Sequence, residues 1–248
     1  MKLHLLGTTG YHPNNIRHTA CYMIPEAGLV LDAGTGFFRV REFVQDELDV
    51  FVTHAHLDHI VGLTFLFDVI YGRTMKRVTV HGRAADLDAI QTHLLAPALF
   101  PVKLPIEYRP IPSVVPLKHG GTLTHFTLEH PGGAIGYRLD FPQGSLAYVS
   151  DTVARRDAEY VEAIRGVDWL VHECYFPDAM SEWAVKTGHS WTSAVAQVAK
   201  KAEVKRLILV HLNPYSDDQD PVGLDVARSI FPDAELGYDG MVVPLWPS

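Results

Sequence analysis

The feature of this sequence that most constrains its fold is the segment T-H-A-H-L-D-H-I-V-G at residues 53–62, which directly follows the apolar run V-F-V at residues 50–52. Within six positions it places three imidazoles and one carboxylate, those of His54, His56, Asp58 and His59. Imidazoles and carboxylates are metal ligands, and loops that follow buried strands often carry binding residues. The segment therefore predicts that these four side chains bind a ligand together at the end of a buried strand.

Composition limits the classes of function. The chain has 248 residues, of which 47% are hydrophobic, and this suffices for a sizeable core. Its formal net charge of −8 argues against a surface that binds nucleic acid over its whole area, although a local basic patch remains compatible. Cys21 and Cys174 both stand beside hydrophobic residues, so we expect buried thiols without a disulfide framework. Without a leader-like segment or a run of about 18 apolar residues, we expect a cytoplasmic protein with no membrane partner.

Short apolar runs separated by turn residues predict a mixed α/β fold. Strand-like runs occupy residues 2–6, 20–24, 29–31, 49–53, 78–81, 122–129, 134–139, 146–150, 169–172 and 207–210, and helix-like periodicity occupies residues 60–71, 84–95, 154–164 and 190–201. The six prolines at residues 97–116 favour a connecting segment over a helix. Because no internal repeat or break in composition marks a boundary, we expect one domain over residues 1–248.

Metal-capable residues follow several of the predicted strands. They are His54 and His56 after residues 49–53, His130 after residues 122–129, Asp151 after residues 146–150 and His211 after residues 207–210. If these strand ends share one edge, their side chains converge, as ligands do in many α/β scaffolds. With Asp58 and His59, the set exceeds the needs of one tetrahedral ion and suits two ions that share a bridging carboxylate. Nitrogen and oxygen donors without a thiolate favour Zn²⁺, with Mn²⁺ and Fe²⁺ as alternatives.

The sequence H-A-H-L-D-H at residues 54–59 resembles the H-x-H-x-D-H signature of the metallo-β-lactamase superfamily, a large group of metal-dependent hydrolases. The later ligands resemble that family's pattern in the same order, as E-H-P-G around His130, V-S-D-T around Asp151 and L-V-H-L around His211. The resemblance implies an αβ/βα four-layer sandwich, with two mixed β-sheets and helices on the outside. It implies two metal ions, one bound by His54, His56 and His130 and the other by Asp58, His59 and His211, with Asp151 bridging them and Asp32 orienting the ligand histidines.

The C-terminal third resembles the ribonuclease Z branch of that superfamily. In that branch a strand end H-E-A-T precedes a helix start H-S-T, and the counterparts here are H-E-C-Y at residues 172–175 and H-S-W at residues 189–191. The resemblance implies that Glu173 orients His189, which would protonate the leaving alkoxide of a phosphodiester, and that Asp58 takes a proton from the attacking water. Such a phosphodiesterase uses a metal-bound hydroxide as its nucleophile.

Two features argue against a full tRNA substrate. Ribonuclease Z enzymes that grip the tRNA elbow carry a long arm between the ligands that match His130 and Asp151, where this chain has twenty residues. After His211 the sequence N-P-Y also lacks the arginine that tRNA-processing members tend to carry after the proline. We therefore expect a cyclic nucleotide, a short oligonucleotide or another small phosphodiester. Arg17 and His18, in a glycine-rich loop, are candidates to contact its phosphate.

Two other functions fit the same residues. An ester, lactone or thioester hydrolase of this fold would depend little on His189, because its leaving groups need a weaker acid. A carrier or cofactor-biosynthesis protein without turnover would bind metal and hydrolyse no generic substrate. A homodimer could form through the apolar residues 65–67 and 69–70, although core packing explains them equally well.

Overall fold

A computed structural model of the chain describes residues 1–216 and 218–246. The chain divides into two compact units: unit 1 comprises Met1–Pro13, Arg17–Ser113 and Asp239–Ser248, and unit 2 comprises Asn14–Ile16 and Val114–Tyr238. Each unit contains one seven-stranded sheet with its own helices. The mixed α/β prediction is therefore confirmed for each unit, and the single domain over residues 1–248 stays a prediction.

The sheet of unit 1 has four neighbouring parallel strands. Its strands are β1 (Lys2–Gly7), β2 (Cys21–Ile24), β3 (Leu29–Leu31), β4 (Glu47–Phe51), β5 (Arg77–Gly82), β6 (Glu107–Pro110) and β14 (Val242–Pro244). Their order is β14-β1-β2-β3-β4-β5-β6, and β3 to β6 run parallel while the other neighbours are antiparallel. Because parallel strands end at one edge, the residues that follow β3 and β4 meet there. These residues are Asp32 and the histidine-rich segment.

Helices of unit 1 are short. They are α1 (Leu57–Ile60), α2 (Leu66–Val69) and α3 (Ala84–Ala89), with 3-10 turns at Pro25–Ala27, Thr35–Glu42 and Val61–Phe65 and a π-helical turn at Ile90–Leu94. The continuous helix predicted at residues 60–71 is wrong, because a 3-10 turn interrupts it. There the Gly62 N–H donates to the Ala33 carbonyl at 2.8 Å, and a Cβ on Gly62 would collide with the Gly34 carbonyl oxygen. This close approach of the loop after β3 overrides the helical periodicity.

The sheet of unit 2 brings four strand ends to one edge. Its strands are β7 (Val114–Pro116), β8 (Thr122–Leu128), β9 (Ala134–Phe141), β10 (Gly144–Val149), β11 (Trp169–Glu173), β12 (Arg206–Val210) and β13 (Ala234–Leu236), in the order β13-β12-β11-β10-β9-β8-β7. Strands β10 to β13 run parallel, and β8 and β10 are both antiparallel to β9. The carboxyl ends of β8, β10, β11 and β12 therefore lie on the same side of the sheet.

One helix of ten residues packs against this sheet. The helices of unit 2 are α4 (Tyr160–Ala163), α5 (Ser181–Thr187), α6 (Thr192–Lys201) and α7 (Leu224–Ile230). Buried residues of α6, such as Val195 and Val198, share one apolar cluster with Val149, Leu170 and Leu209 of the sheet. This burial of apolar area stabilises the packing of the helix on the strands.

No helix among residues 1–216 and 218–246 is both long enough and apolar enough to cross a membrane.

Several sequence predictions in this part of the chain need correction. The helix predicted at residues 154–164 is limited to α4, since the Ala154 N–H donates to the Ser190 hydroxyl at 2.9 Å and the following residues form a loop. The proline-rich residues 97–116 include β6 and β7 as well as connecting segments. Sequence periodicity also missed β13, β14, α5 and α7, each of which has seven residues or fewer.

A half-buried ion cluster joins β4 to β5. Asp49 accepts hydrogen bonds from Arg77 Nη1 and Nη2 at 2.5 and 2.7 Å and lies 2.9 Å from His81 Nε2. Asp49 pairs with Thr79 in register, so Arg77 and His81 are its two diagonal neighbours. Burial alone would raise the pKa of the Asp49 carboxyl, but the hydrogen bonds from His81 and Arg77 outweigh it and lower that pKa to about 2.

This cluster predicts an acid-sensitive contribution to stability. Because the pKa of Asp49 in the folded chain lies below its ordinary value of 3.8, its contribution is present above about pH 4 and is lost as pH falls toward 2. Asp49→Asn should lower the free energy of unfolding by about 1–3 kcal/mol at pH 7, and the gap to wild type should close between pH 4 and pH 2. Urea unfolding across this range measures it.

Asp46→Asn is the matched control, because Asp46 forms a solvent-exposed ion pair with Lys76. Such pairs contribute at most about 1 kcal/mol. A difference between wild type and Asp49→Asn that stays constant from pH 7 to pH 2 would contradict the assignment.

Candidate metal centre

In unit 1, a buried carboxylate organises the histidine-rich segment. Asp32 is fully buried at the end of β3, with a left-handed φ of +56°. Its Oδ2 lies 2.8 Å from His59 Nδ1, and its Oδ1 accepts the Thr53 backbone N–H at 2.8 Å. Since a carboxylate only accepts hydrogen bonds, His59 carries its proton on Nδ1 and leaves Nε2 as a metal-capable lone pair.

Other ligand-capable groups of this segment surround His59. Its Nε2 lies 3.4 Å from Asp58 Oδ2, and its ring centroid lies 4.3 Å from that of His54. The His56 ring lies 4.5 Å from the His54 ring. The short helix α1 produces this arrangement, because it places Asp58 and His59 one turn after His56, whose carbonyl accepts the His59 N–H at 3.0 Å. All four predicted ligands of unit 1 therefore lie close together within six consecutive residues.

In unit 2, Asp151 lies between two histidines. It follows β10, while His130 and His211 follow β8 and β12, at the common edge of the sheet. Asp151 Oδ2 lies 3.7 Å from His130 Nε2, and its Oδ1 lies 3.3 Å from His211 Nε2. His130 Nδ1 donates to the Gly188 carbonyl at 3.0 Å, which leaves its Nε2 as an acceptor. Each carboxylate oxygen thus faces a different imidazole, an arrangement compatible with a bridging ligand.

These spacings fit a metal better than a direct hydrogen bond. Hydrogen bonds between nitrogen and oxygen are typically about 2.7–3.2 Å long. A tetrahedral ion with donors at roughly 2.0–2.2 Å separates its donor atoms by about 3.3–3.6 Å. The separations from Asp58 to His59 and from Asp151 to His211 are 3.4 and 3.3 Å, and that from Asp151 to His130 is 3.7 Å. The donor set therefore fits divalent metal ions held by nitrogen and oxygen atoms.

Glu173 and His189 form a second close pair in unit 2, in which the carboxylate is fully buried and the imidazole is partly exposed. Glu173 ends β11 and is fully buried, and its Oε1 lies 3.3 Å from His189 Nδ1. The same oxygen accepts the Thr152 and Ser190 backbone N–H groups, both at 3.0 Å. The Tyr175 N–H donates to the other oxygen at 3.1 Å. Three backbone donors thus stabilise the charge of Glu173 and fix the direction in which it meets His189.

The His189 ring is held between aromatic neighbours. Tyr175 stacks on it with centroids 4.7 Å apart and an interplanar angle of 19°. His130 and His211 lie 5.4 and 5.5 Å away between ring centroids. Potential ligand atoms of Glu173, His189 and His211 all lie within 4.8 Å of one another. His189 is therefore adjacent to the ligand-capable residues of unit 2.

His172 shows how a structural histidine differs from these. It is fully buried, its Nδ1 donates to the Glu173 carbonyl at 2.7 Å, and its Nε2 accepts from the Tyr160 hydroxyl at 2.9 Å. Burial lowers the pKa of His172, and the carbonyl and charge of Glu173 do not reverse this. Both ring nitrogens are occupied by protein groups, so this imidazole has no site for a ligand.

Cys174 and Cys21 are buried free thiols, as expected from their neighbours, and burial raises the pKa of each thiol.

Two candidate phosphate-binding residues lie in unit 1. Arg17 is almost entirely buried, with 3% of its surface exposed. The His18 N–H donates to Asp239 at 2.7 Å, and its ring packs edge-on against Phe38. Burial and the neighbouring Arg39 lower the pKa of His18 despite Asp239, which disfavours the positively charged form of its ring. A phosphate contact by either residue stays a prediction.

Sequence reasoning missed the residues that support the ligands. The Thr53 hydroxyl contacts Asp32 at 2.9 Å and His54 Nδ1 at 3.0 Å, and the Tyr11 N–H donates to Asp58 at 2.7 Å. The Ser190 hydroxyl donates to the Thr152 carbonyl at 2.7 Å. Thr53 and Ser190 could have been found from the sequence, since each adjoins a candidate histidine. Tyr11 could not, because it contributes only its backbone N–H and lies 47 residues from Asp58 in the chain.

Comparison with known proteins places these residues in a family context. Residues 29–212 match the β-lactamase superfamily domain. The chain is 30% identical to the ribonuclease Z of Trichodesmium erythraeum over 313 aligned positions, which cover 99% of this chain and 96% of that enzyme. It is 38% identical to the ribonuclease Z of Archaeoglobus fulgidus over 82 residues, and that match covers 33% of this chain and about a quarter (26%) of the enzyme's length.

Two solved structures show the same fold. The metallo-β-lactamase fold protein YhfI from Bacillus subtilis has a TM-score of 0.82 at 20% identity, covering 97% of this chain and 98% of that one. The short form of human tRNase Z has a TM-score of 0.78 at 20% identity, covering 100% of both chains. The predicted metallo-β-lactamase-type fold, with two mixed sheets and helices, is thereby confirmed.

The role of Asp32 can be tested by metal binding. Asp32→Asn removes the charge that fixes the His59 tautomer, and losses of such supporting carboxylates typically weaken metal binding about 10–100-fold. We expect this loss for Zn²⁺ measured by competition with a chromophoric chelator. The control is Asp88→Asn, the same change at an exposed position on α3. Equal affinities for the two variants would contradict the role of Asp32.

Proposed function

Because the chain belongs to the β-lactamase superfamily, in its ribonuclease Z-like branch, it is a metal-dependent hydrolase, and we propose that it hydrolyses small or exposed phosphodiesters with two bound metal ions. The observation that carries this proposal is the position of Asp151, whose two oxygens each face a different imidazole. The adjacent pair of Glu173 and His189 adds a proton donor, which phosphodiester cleavage needs for its leaving group.

In this proposal the ligands of the two units act together. His54, His56 and His130 would hold one ion, Asp58, His59 and His211 would hold the other, and Asp151 would contribute to both. The family resemblance supports this division, and so do the donor separations within each unit. Zn²⁺ is the first choice because all proposed donors are nitrogen or oxygen, and Mn²⁺ and Fe²⁺ use the same donors. When bound, the ions would neutralise charge on the phosphoryl oxygens and activate the attacking water.

His189 is proposed to protonate the leaving oxygen. Its Nδ1 faces Glu173, so a proton on Nε2 can pass to the leaving alkoxide as the bond from phosphorus to that oxygen breaks. The buried Glu173 carboxylate stabilises the imidazolium before this transfer and keeps the ring oriented. Asp58, whose Oδ2 already accepts the Tyr11 N–H, is proposed to take the proton that the attacking water loses.

A small or exposed phosphodiester is favoured over full tRNA. The alignment with the Trichodesmium erythraeum enzyme spans 313 positions against the 248 residues of this chain, so at least 65 positions of it have no counterpart here. Twenty residues separate His130 from Asp151, and β9 and β10 account for most of them.

We further propose a cytoplasmic location. Of the residues considered for a homodimer, Leu66 and Val69 are fully buried and Phe67 is exposed, and the dimer stays a prediction.

The test uses two substrates that differ in leaving group. Metal-loaded protein should hydrolyse bis(p-nitrophenyl) phosphate and the dinucleotide UpU, and chelation should abolish both activities. His189→Ala should lower kcat for UpU about 10²–10⁴-fold. It should lower kcat for the nitrophenyl ester less, because nitrophenolate leaves without much help from an acid. Metal content is measured in every sample.

The matched control is His93→Ala, the same change at an exposed histidine. Equal losses on both substrates would exclude the acid role and leave His189 as a positioning residue. If the loaded protein hydrolyses neither substrate, the phosphodiesterase proposal is wrong. Turnover of a lactone or thioester would then identify an ester hydrolase, and metal binding without any turnover would identify a carrier.

A further inference from the structure

A cavity of about 600 Å³ lies in unit 2, and none of the proposed metal ligands lines it. One wall is the loop of residues 154–157, another is an exposed face of α6, and Trp191 lies between them. This volume is within the range of about 300–1,000 Å³ that is usual for small-ligand sites. The cavity, called here the Trp191 groove, is large enough for a nucleotide-sized group.

Both sides of the Trp191 groove continue directly from the candidate site. Trp191 is the second residue after His189, so their Cα atoms are at most about 7–8 Å apart. The loop wall begins at Ala154, three residues after Asp151. The Ser190 hydroxyl joins the two sides, because it accepts the Ala154 N–H at 2.9 Å and donates to the Thr152 carbonyl at 2.7 Å. The groove therefore begins within two or three residues of the candidate site, and a substrate with a second nucleotide beyond His189 has the length to reach its Trp191 end.

The groove is basic although the chain is acidic. Its lining includes three cations, Arg155, Arg156 and Lys201, and one carboxylate, Asp157, whereas the whole chain has a net charge of −8. Arg155 forms an exposed ion pair with Glu129, which leaves Arg156 and Lys201 as the cations that most directly favour a ligand. Both are exposed. The lining thus carries an excess of positive charge, which attracts anions.

Its remaining residues suit a nucleotide better than a simple anion. Ser193, Gln197 and Lys201 are spaced four residues apart on α6 and form one polar stripe along the groove. The partly exposed Trp191 offers an aromatic surface. Aromatic surfaces beside cations are the usual means of binding single-stranded nucleic acid, because bases stack on the ring while phosphates meet the cations.

We propose that the Trp191 groove binds the nucleotide adjoining the scissile phosphodiester, so that the substrate is a short single-stranded oligonucleotide. This inference rests on the proposed phosphodiesterase function and selects one of its substrate classes. A cyclic nucleotide or a simple diester has no second nucleotide to occupy the groove. Trp191 and the polar stripe on α6 then act as a subsite that determines specificity.

The experiment compares substrates that do and do not reach the groove. Arg156→Ala and Lys201→Ala should each raise KM for a five-residue oligouridylate at least five times more than KM for bis(p-nitrophenyl) phosphate. Each variant should also reduce the slope of log KM against log salt concentration by about 0.7, the value for one lost phosphate contact on a single strand. Lys200→Ala is the control, because Lys200 is an exposed lysine next to Lys201 but points about 100° away around α6.

A KM ratio and salt slope like those of wild type in both variants would overturn the subsite, as would equal effects of Lys200→Ala and Lys201→Ala. Failure of the proposed function looks different, since wild-type protein would then hydrolyse neither substrate. In that case the fluorescence anisotropy of a labelled oligouridylate decides the inference. Binding that Lys201→Ala weakens and Lys200→Ala does not supports the groove, and binding equal in both variants contradicts it.

Discussion

The burial of three carboxylates at the ends of parallel strands is the constraint on which this structure depends. Asp32, Asp151 and Glu173 follow or end β3, β10 and β11, and each is at least 98% removed from solvent. An ionised carboxylate in such a place is very unfavourable unless it is paired or hydrogen-bonded. The local structure meets this need in different ways, and those differences separate the roles of the three residues.

Asp32 and Glu173 are satisfied mainly by protein donors. Asp32 accepts from a backbone N–H, a hydroxyl and an imidazole, and Glu173 accepts from three backbone N–H groups and lies beside His189. Asp151 accepts a hydrogen bond from the Ser150 hydroxyl at 3.3 Å, and its two oxygens also lie 3.7 and 3.3 Å from the imidazoles of His130 and His211. Such separations between a carboxylate and imidazole nitrogens suit a cation held by both. The first two residues therefore orient histidines, and Asp151 has the surroundings of a metal ligand.

The sequence was sufficient for the strands that precede the candidate ligands and insufficient for the short edge strands and most of the helices. The strand runs before His54, His130, Asp151 and His211 are apolar and short, and a polar residue after each is visible without a structure. The break at residues 61–65 was not visible, because it results from contact between Gly62 and the loop at Ala33, 29 residues away in the chain. The loop after Asp151 likewise depends on the Ser190 hydroxyl, whose position only the fold determines.

The Trp191 groove extends this reasoning from residues to substrate selection. The net charge of the chain argued against nucleic-acid binding, but net charge does not show where the charged residues lie. Arg156 and Lys201 belong to a loop and a helix 45 residues apart, and the fold places them on one cavity that begins at Trp191, two residues after His189. In the proposed subsite an anionic strand would concentrate at this basic patch, because electrostatic attraction acts before contact. Local charge in the groove, and not the net charge of the chain, would then select which phosphodiesters bind.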